Sequence, residues 1–173
     1  MGLHLLIDGY NLIRQSAALG PVDRRDITAG REALLKRLAA YRRLKPHAMT
    51  VVFDGAGAPE ATPERDRVMG VRVVFSRHGE TADAVIARMA RHEGERALVV
   101  TSDRGLARAV ESAGATVLDA LEFEARVAMA VTLGGDEAPR DDDPVRRVST
   151  RKKGEGRRLP KRQRQAMKKA SKL

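Results

Sequence analysis

Short apolar runs with β-strand character alternate along the chain with stretches in which apolar residues recur at helical spacing. Strands are predicted at residues 3–7, 50–53, 71–75, 97–101 and 116–118, and helices at 26–45, 81–94, 106–113 and 120–133. Thr81 is predicted to cap the second helix and Gly94 to end it. This alternation, from residue 3 to about residue 133, predicts βαβ units and hence an α/β fold with a central, mostly parallel sheet.

Length and cysteine content narrow the class of protein. A chain of 173 residues suits one domain with an appendage, and the absence of cysteine excludes disulfides and thiolate metal sites. Residues 1–12 lack the basic start and long apolar core of a signal peptide. No apolar run approaches the roughly 20 residues that cross a bilayer. We therefore expect a soluble, cytoplasmic protein with no membrane partner.

The net charge of +10 is concentrated at the C-terminal end of the chain. Residues 144–173 hold thirteen Lys or Arg residues beside one acid, Glu155, whereas the rest of the chain is close to neutral. We therefore predict a nuclease-sized domain at residues 1–135, an acidic spacer at 136–143, and a basic tail at 144–173 that is disordered or partly helical. Such a tail is typical of a protein that binds a polyanion, most often nucleic acid.

Four aspartates stand where a predicted strand ends or a predicted helix begins. They are Asp8, Asp54, Asp83 and Asp103. Because ligands of open α/β sheets bind beyond the carboxyl ends of the strands, and hard cations prefer carboxylate oxygen, this pattern predicts a magnesium site in an enzyme that acts on phosphate. Each aspartate has an ordinary alternative, since Asp also favours turns and helix N-termini. The conjunction of four is what favours the metal site.

Polar residues beside these acids are candidates for supporting roles. Asn11 could orient a water or a phosphate, Ser102 offers a hydroxyl next to Asp103, and Thr101 is a candidate for RNA contact. Glu80 could add a carboxylate or be a first-turn acid, and His78 is expected to be an exposed loop residue rather than a ligand. Glycine fingerprints of dinucleotide-binding and Walker A loops are absent.

Four segments together resemble the YacP-like branch of the NYN domain family, whose members are PIN-like ribonucleases. They are LLIDGYNLI at residues 5–13, VVFDG at 51–55, FSRHGETAD at 75–83 and VVTSDRGLARAVESAGA at 99–115. The resemblance covers about residues 3–130 and does not reach the tail. It implies a PIN-like three-layer αβα sandwich with a central, mostly parallel sheet and a divalent-metal endoribonuclease activity.

Matching the motifs residue by residue implies the same acidic site. Asp8, Asp54, Asp83 and Asp103 would bind Mg²⁺ or Mn²⁺ and act in catalysis, with Asn11, Ser102 and Thr101 in support. The sequence departs from many PIN-like and NYN proteins at Ala84, where those proteins carry a second acid. This departure leaves one or two bound ions as open alternatives.

The function implied is hydrolysis of RNA phosphodiester bonds, in mRNA or ribosome-linked RNA processing or decay. Because the tail has no aromatic residue, phosphate attraction rather than base stacking should dominate there. Two alternatives are a non-catalytic RNA-binding module on a PIN-like scaffold and a hydrolase of nucleotides or small phosphate esters. RNA, and through it the ribosome, is the expected partner, and the oligomeric state is open. The predicted tail contacts are Arg151, Lys152, Lys153, Arg157, Arg158, Lys161, Arg162 and Arg164.

Overall fold

A six-stranded sheet forms the centre of the molecule. The computed structural model describes residues 2–55, 65–134, 168–169 and 171. The strands are β1 (His4–Asp8), β2 (Ala48–Phe53), β3 (Arg65–Val68), β4 (Val71–Phe75), β5 (Ala97–Val100) and β6 (Thr116–Leu118). They lie in the order β3-β4-β2-β1-β5-β6, and every neighbouring pair is parallel except β3 and β4.

Helices cover both faces of the sheet and complete a three-layer α/β sandwich. They are α1 (Gly9–Gln15), α2 (Gly20–Arg25), α3 (Ile27–Leu44), α4 (Ala82–Glu93), α5 (Arg104–Ser112) and α6 (Ala120–Gly134). Alternate residues of each strand enter separate cores: Leu5 and Ile7 pack with α1, α3 and α6, whereas Leu6 packs with α4 and α5. The predicted fold class is confirmed. None of the helices in these described ranges is both long and apolar enough to span a membrane.

Most predicted elements are present with small shifts at their ends. Helix α3 begins after Asp26, whose side chain accepts a hydrogen bond from the amide of Thr28. The predicted cap of α4 is confirmed, because Thr81 Oγ1 accepts from the amide of Ala84 at 3.2 Å. Gly94 ends that helix with a positive φ of 55°.

The sequence prediction contained no β3 and no helix between residues 9 and 25. Strand β3 is polar, as edge strands often are, and it pairs with β4 through a two-residue turn in which Met69 and Gly70 both have positive φ. Helices α1 and α2 are short and contain the helix-disfavouring residues Gly9 and Gly20. Packing on the sheet, rather than local propensity, therefore stabilises them.

Candidate active site

Asp8 lies at the end of the central strand β1 and is 8% exposed. Its Oδ1 accepts a hydrogen bond from the amide of Asn11 at 3.3 Å, so the carboxylate also caps α1. Its Oδ2 accepts from the hydroxyl of Thr101 at 3.4 Å. The capping role and the proposed site role thus fall on the same side chain.

The end of β5 places Asp103 next to Asp8. Thr101 Oγ1 accepts a hydrogen bond from the amide of Asp103 at 3.1 Å, and Asp103 Oδ1 accepts from the amide of Leu106 at 2.7 Å, which caps α5. The side chain of Asn11 bridges the same two loops, because its Oδ1 accepts from the amide of Ser102 at 2.8 Å. These bonds fix the loop after β5 against the start of α1.

Asp54 follows β2 directly and is held by a contact with the end of β4. The amide of Gly55 donates to Ser76 Oγ at 2.9 Å, and the amide of Ser76 donates to the carbonyl of Phe53 at 3.0 Å. A Cβ on Gly55 would lie 2.0 Å from the carbonyl oxygen of Ser76, so the approach requires glycine. The backbone on both sides of Asp54 is therefore constrained.

Asp83 reaches the site from the opposite wall, in the first turn of α4. Its side chain is exposed, yet its pKa is raised, first by partial burial and then by the negative charges of Asp103 and Asp54. Carboxylates that raise one another's pKa lie close in space. This coupling links residues that are far apart in the sequence.

All four predicted carboxylates line one open cleft of about 560 Å³ at the carboxyl edge of the sheet. One wall is formed by α1 and the start of α3, and the other by the start of α4. The lining residues are Asp8, Tyr10, Asn11, Arg14, Gln15, Ile27, Asp54, Thr81, Ala82, Asp83 and Asp103. The structure thus brings together the four aspartates and Asn11.

Burial raises the pKa of Asp8 to about 6 from its usual 3.8. The negative charges of Asp83 and Asp103 raise it further, while the hydrogen bonds from Asn11 and Thr101 oppose the shift. A cation in the cleft would relieve both the burial penalty and the repulsion. The electrostatics of the free site therefore favour a positively charged ligand.

The donor set fits a hard divalent cation that keeps part of its water shell. In the described part of the chain, no three His, Cys, Asp or Glu side chains are arranged to hold one metal ion together. Mg²⁺, however, commonly binds through one or two carboxylates and completes its shell with waters and substrate phosphates. Carboxylates that converge on an open cleft and repel one another suit that kind of site.

Three predicted residues lie elsewhere than their expected roles require. The hydroxyl of Ser102 donates to Asp119 Oδ2 at 2.7 Å and accepts from the amide of Ala120 at 3.3 Å, so it joins the start of α6 instead of lining the cleft. Thr101 is 2% exposed and its hydroxyl is engaged by Asp8 and Asp103, which argues against a direct RNA contact.

Glu80 also lies away from the acidic cleft. It forms an ion pair with Arg88, whose hydrogen bond is the main cause of a lowered pKa at Glu80, and it lines a different cavity. His78 is exposed, as expected. The predicted spacer at 136–143 and the tail contacts fall outside the described residues, so the domain boundaries stay predictions. Those tail contacts are Arg151, Lys152, Lys153, Arg157, Arg158, Lys161, Arg162 and Arg164.

Two features of the site were not predicted from the sequence. The guanidinium of Arg14 lies 5.6 Å from the ring centre of Tyr10 and gives the α1 wall a positive charge beside four acids. Asp119 accepts the hydrogen bond from Ser102 and, through Oδ1, those of the amides of Leu121 and Glu122. The i, i+4 spacing of Tyr10 and Arg14 is a signal that could have identified the first.

Comparison with known proteins identifies the family. The model of the YacP-like NYN domain matches residues 5–172. The match corrects the limit placed on the resemblance, because it continues through the basic tail that the motifs did not reach. The chain is also 30% identical over 87 residues to the uncharacterized protein YacP of Bacillus subtilis (strain 168). That alignment covers 50% of this chain and 51% of the relative, so the chain spans about half the length of the curated relative it matches.

Solved structures support the fold over a larger share of the chain. The crystal structure of Rae1 (YacP) from Bacillus subtilis is 26% identical, has a TM-score of 0.65, and covers 78% of each chain. The structure of a mutant of the same protein is 28% identical, with a TM-score of 0.63 and coverage of 76% of this chain and 78% of that one. The order and spacing of the elements are therefore similar in these proteins and in this chain.

Proposed function

The chain belongs to the YacP-like NYN domain family, and on this basis we propose that it is a divalent-metal-dependent endoribonuclease that hydrolyses RNA phosphodiester bonds. The observation that carries the proposal is the convergence of Asp8, Asp54, Asp83 and Asp103 on one cleft at the carboxyl edge of the sheet. We further propose that its substrates belong to mRNA or ribosome-linked RNA processing or decay. Cytoplasmic location is part of the same proposal.

The acidic side chains would hold Mg²⁺ or Mn²⁺, whose contribution is to activate water and to screen the charge of the phosphate. Asp8 is suited to bind the ion because Asn11 and Thr101 fix its two oxygens. Asp83 and Asp103 face the same cleft from α4 and from the end of β5. The expected products carry a 5′-phosphate and a 3′-hydroxyl.

The α1 wall would bind the RNA strand. Arg14 is exposed and can contact a phosphate beside the one that is cleaved, while Asn11 and Gln15 offer amides along the same wall. Thr81 and Ala82 border the opposite side. The cleft thus pairs an acidic floor for cations with a wall that can contact the substrate anion.

The activity test compares metals and matched variants on labelled RNA. Purified full-length protein is incubated with one structured and one single-stranded RNA in Mn²⁺, Mg²⁺ or EDTA. We expect cleavage only with metal, and a loss of roughly 100-fold or more in Asp8→Asn and Asp103→Asn. Glu111→Gln, on the exposed side of α5, is the control and should retain full activity. Unchanged cleavage in both aspartate variants would exclude this site.

A second candidate function is RNA binding without catalysis. The absence, in the described ranges, of three side chains arranged around one ion favours it, as does Ala84 where relatives carry a second acid. It predicts RNA binding that survives EDTA and Asp8→Asn, with no cleavage in any metal. The same experiment therefore separates the two functions. Preference for mononucleotides over oligonucleotides would instead indicate a small-phosphate hydrolase.

A further inference from the structure

A second cavity, of about 200 Å³, lies on the α3 side of the sheet and shares no lining residue with the acidic cleft. Helix α3 forms one wall, and the ends of β2, β3 and β4 form the other. We call it the α3 pocket. Its lining residues are Thr28, Arg31, Glu32, Leu35, Phe53, Asp66, Val68, Val73 and Phe75.

Arg31 is the unusual residue of the α3 pocket, because a charged side chain is 6% exposed and incompletely paired. Its Nη2 donates to Thr28 Oγ1 at 3.2 Å, and its guanidinium carbon lies 5.4 Å from the ring centre of Phe75. Its Nη1 is buried without a hydrogen-bond partner, and no carboxylate of the described residues forms an ion pair with it. A buried donor left in this state is costly unless something binds to it.

The rest of the α3 pocket is largely apolar. Leu35, Phe53 and Val73 are each less than 10% exposed, and Val68 closes the pocket from the edge strand. Small-molecule sites commonly combine such apolar walls with a few polar groups that fix orientation. A flat ring whose rim carries a carbonyl acceptor satisfies both the walls and the free donor of Arg31. Nucleobases have this chemistry.

The α3 pocket and the acidic cleft are connected by neighbouring residues. Phe53 lines the pocket and the next residue, Asp54, lines the cleft. On α3, Ile27 lines the cleft and Thr28 lines the pocket. A single RNA strand with a phosphate in the cleft would therefore carry a base past the mouth of the pocket.

We propose that the α3 pocket binds an unpaired nucleobase of the RNA substrate, with a base carbonyl accepting a hydrogen bond from Nη1 of Arg31. This inference rests on the proposed function for the identity of the strand that enters. Guanine, uracil and cytosine carry an exocyclic carbonyl, whereas adenine does not. Adenine should therefore be the base that the pocket binds most weakly.

The first test measures how each base near the cleavage site contributes to cleavage of a single-stranded RNA. Abasic nucleotides are placed one at a time beside the cleaved bond. The wild-type protein should show one position at which the loss of the base raises KM about tenfold while kcat changes less than twofold. Arg31→Met should show the raised KM with the intact RNA and no further sensitivity at that position. Arg43→Met, on the exposed end of α3, is the control and should behave like the wild type.

Because Arg31 is buried, a second variant guards against loss of the fold. Val68→Phe leaves Arg31 in place and fills the α3 pocket from the edge strand, and thermal unfolding checks that it remains folded. It should reproduce the raised KM. If folded Val68→Phe and Arg31→Met both retain wild-type sensitivity to every abasic position, the proposal is overturned.

A binding experiment without cleavage separates this proposal from the proposed function. GMP, UMP, CMP and AMP are added in EDTA, and the methyl NMR signals of Leu35, Val68 and Val73 are followed. We expect saturable shifts with GMP, UMP and CMP, weaker shifts with AMP, and loss of all of them in Arg31→Met. Shifts in a protein that cleaves no RNA would sustain the α3 pocket while the nuclease fails. No shift with any nucleotide would overturn the pocket even if cleavage is intact.

Discussion

The hydroxyl of Thr101 donates to Oδ2 of Asp8 at 3.4 Å, and so joins the ends of the adjacent parallel strands β5 and β1. The same oxygen accepts a hydrogen bond from the amide of Asp103 at 3.1 Å. One buried hydroxyl therefore positions two of the four carboxylates of the cleft. Thr101 acts through these neighbours rather than by contact with the substrate.

Thr101→Val tests this positioning role. Valine has nearly the same shape but leaves Asp8 Oδ2 and the amide of Asp103 without this partner, so we expect a loss of about 1–3 kcal/mol in the free energy of unfolding. Cleavage should slow roughly tenfold in kcat with little change in KM, since the carboxylates rather than the RNA contacts are disturbed. Urea unfolding and steady-state kinetics measure the two effects. Thr101→Ser keeps the hydroxyl and should recover most of both, and a rise in KM alone would contradict the positioning role.

Ser102→Ala should affect stability more than activity. The Ser102 hydroxyl bonds to Asp119 and to the amide of Ala120, at the start of α6, and does not line the cleft. We expect a loss of about 1 kcal/mol in the free energy of unfolding and a cleavage rate close to that of the wild type. A large fall in kcat with unchanged stability would instead restore the catalytic role predicted from the sequence.

The metal-free protein should lose stability as the pH rises from about 4 to about 6, because of Asp8. Burial raises the pKa of Asp8 from 3.8 to about 6 in the folded protein. In this window the folded protein holds a proton that the unfolded chain has released, so the free energy of unfolding falls as pH rises. A shift of about two pKa units corresponds to roughly 3 kcal/mol for this group.

Comparison with Asp8→Asn isolates this contribution from those of the other acids. Urea unfolding in EDTA at several pH values should show the variant gaining on the wild type between pH 4 and pH 6, with a constant difference at higher pH. Asn also caps helices well, so the cap of α1 is retained. Glu111→Gln should track the wild type throughout. A difference that does not vary with pH would mean that Asp8 ionises as readily in the fold as in the unfolded chain.

Loss of the basic tail should weaken RNA binding without removing catalysis. Deleting residues 144–173 should reduce affinity and flatten its dependence on salt, while cleavage persists at high enzyme concentration. The deletion also removes Lys169, whose Nζ donates to the carbonyl of Glu95. Replacing the basic residues at 151–153 and 157–158 with Gln is therefore the cleaner variant.

Salt titration gives the measurement for the tail. For single-stranded RNA, each lost phosphate contact should lower the slope of log affinity against log salt by about 0.7. Substituting Lys36 and Arg43, exposed residues of α3, is a control of similar charge change outside the tail and the cleft. If the neutralised tail and the control change the slope equally, the tail has no special part in RNA binding.

Several elements follow from the sequence because their signals are local. The strand at Val71–Phe75 and the one at Thr116–Leu118 were predicted at their observed bounds, and Thr81 was predicted as the cap of α4. Apolar runs, glycine turns and side-chain caps act within a few residues, so each leaves a readable pattern. The hairpin of β3 was missed because its turn depends on positive φ at Met69, which no sequence pattern favours.

The acidic residues of the site were predicted because parallel strands end at one edge of a sheet, so Asp8, Asp54 and Asp103 had to be near one another. Their roles were decided by contacts between distant segments. Ser102 faces α6 because Asp119 accepts its hydroxyl, and Thr101 is enclosed because two strands meet around it. Composition and spacing contain no information on which side of a loop a hydroxyl will face.

The sequence by itself determined the α/β alternation, the acidic edge and the basic tail, because these depend on residue type and short-range spacing. Tertiary structure alone decided that Arg31 lies buried against Phe75 with a free donor, and that Asp8 is desolvated enough to hold its proton to about pH 6. Both are consequences of burial, which is set by what packs against a side chain from far along the chain.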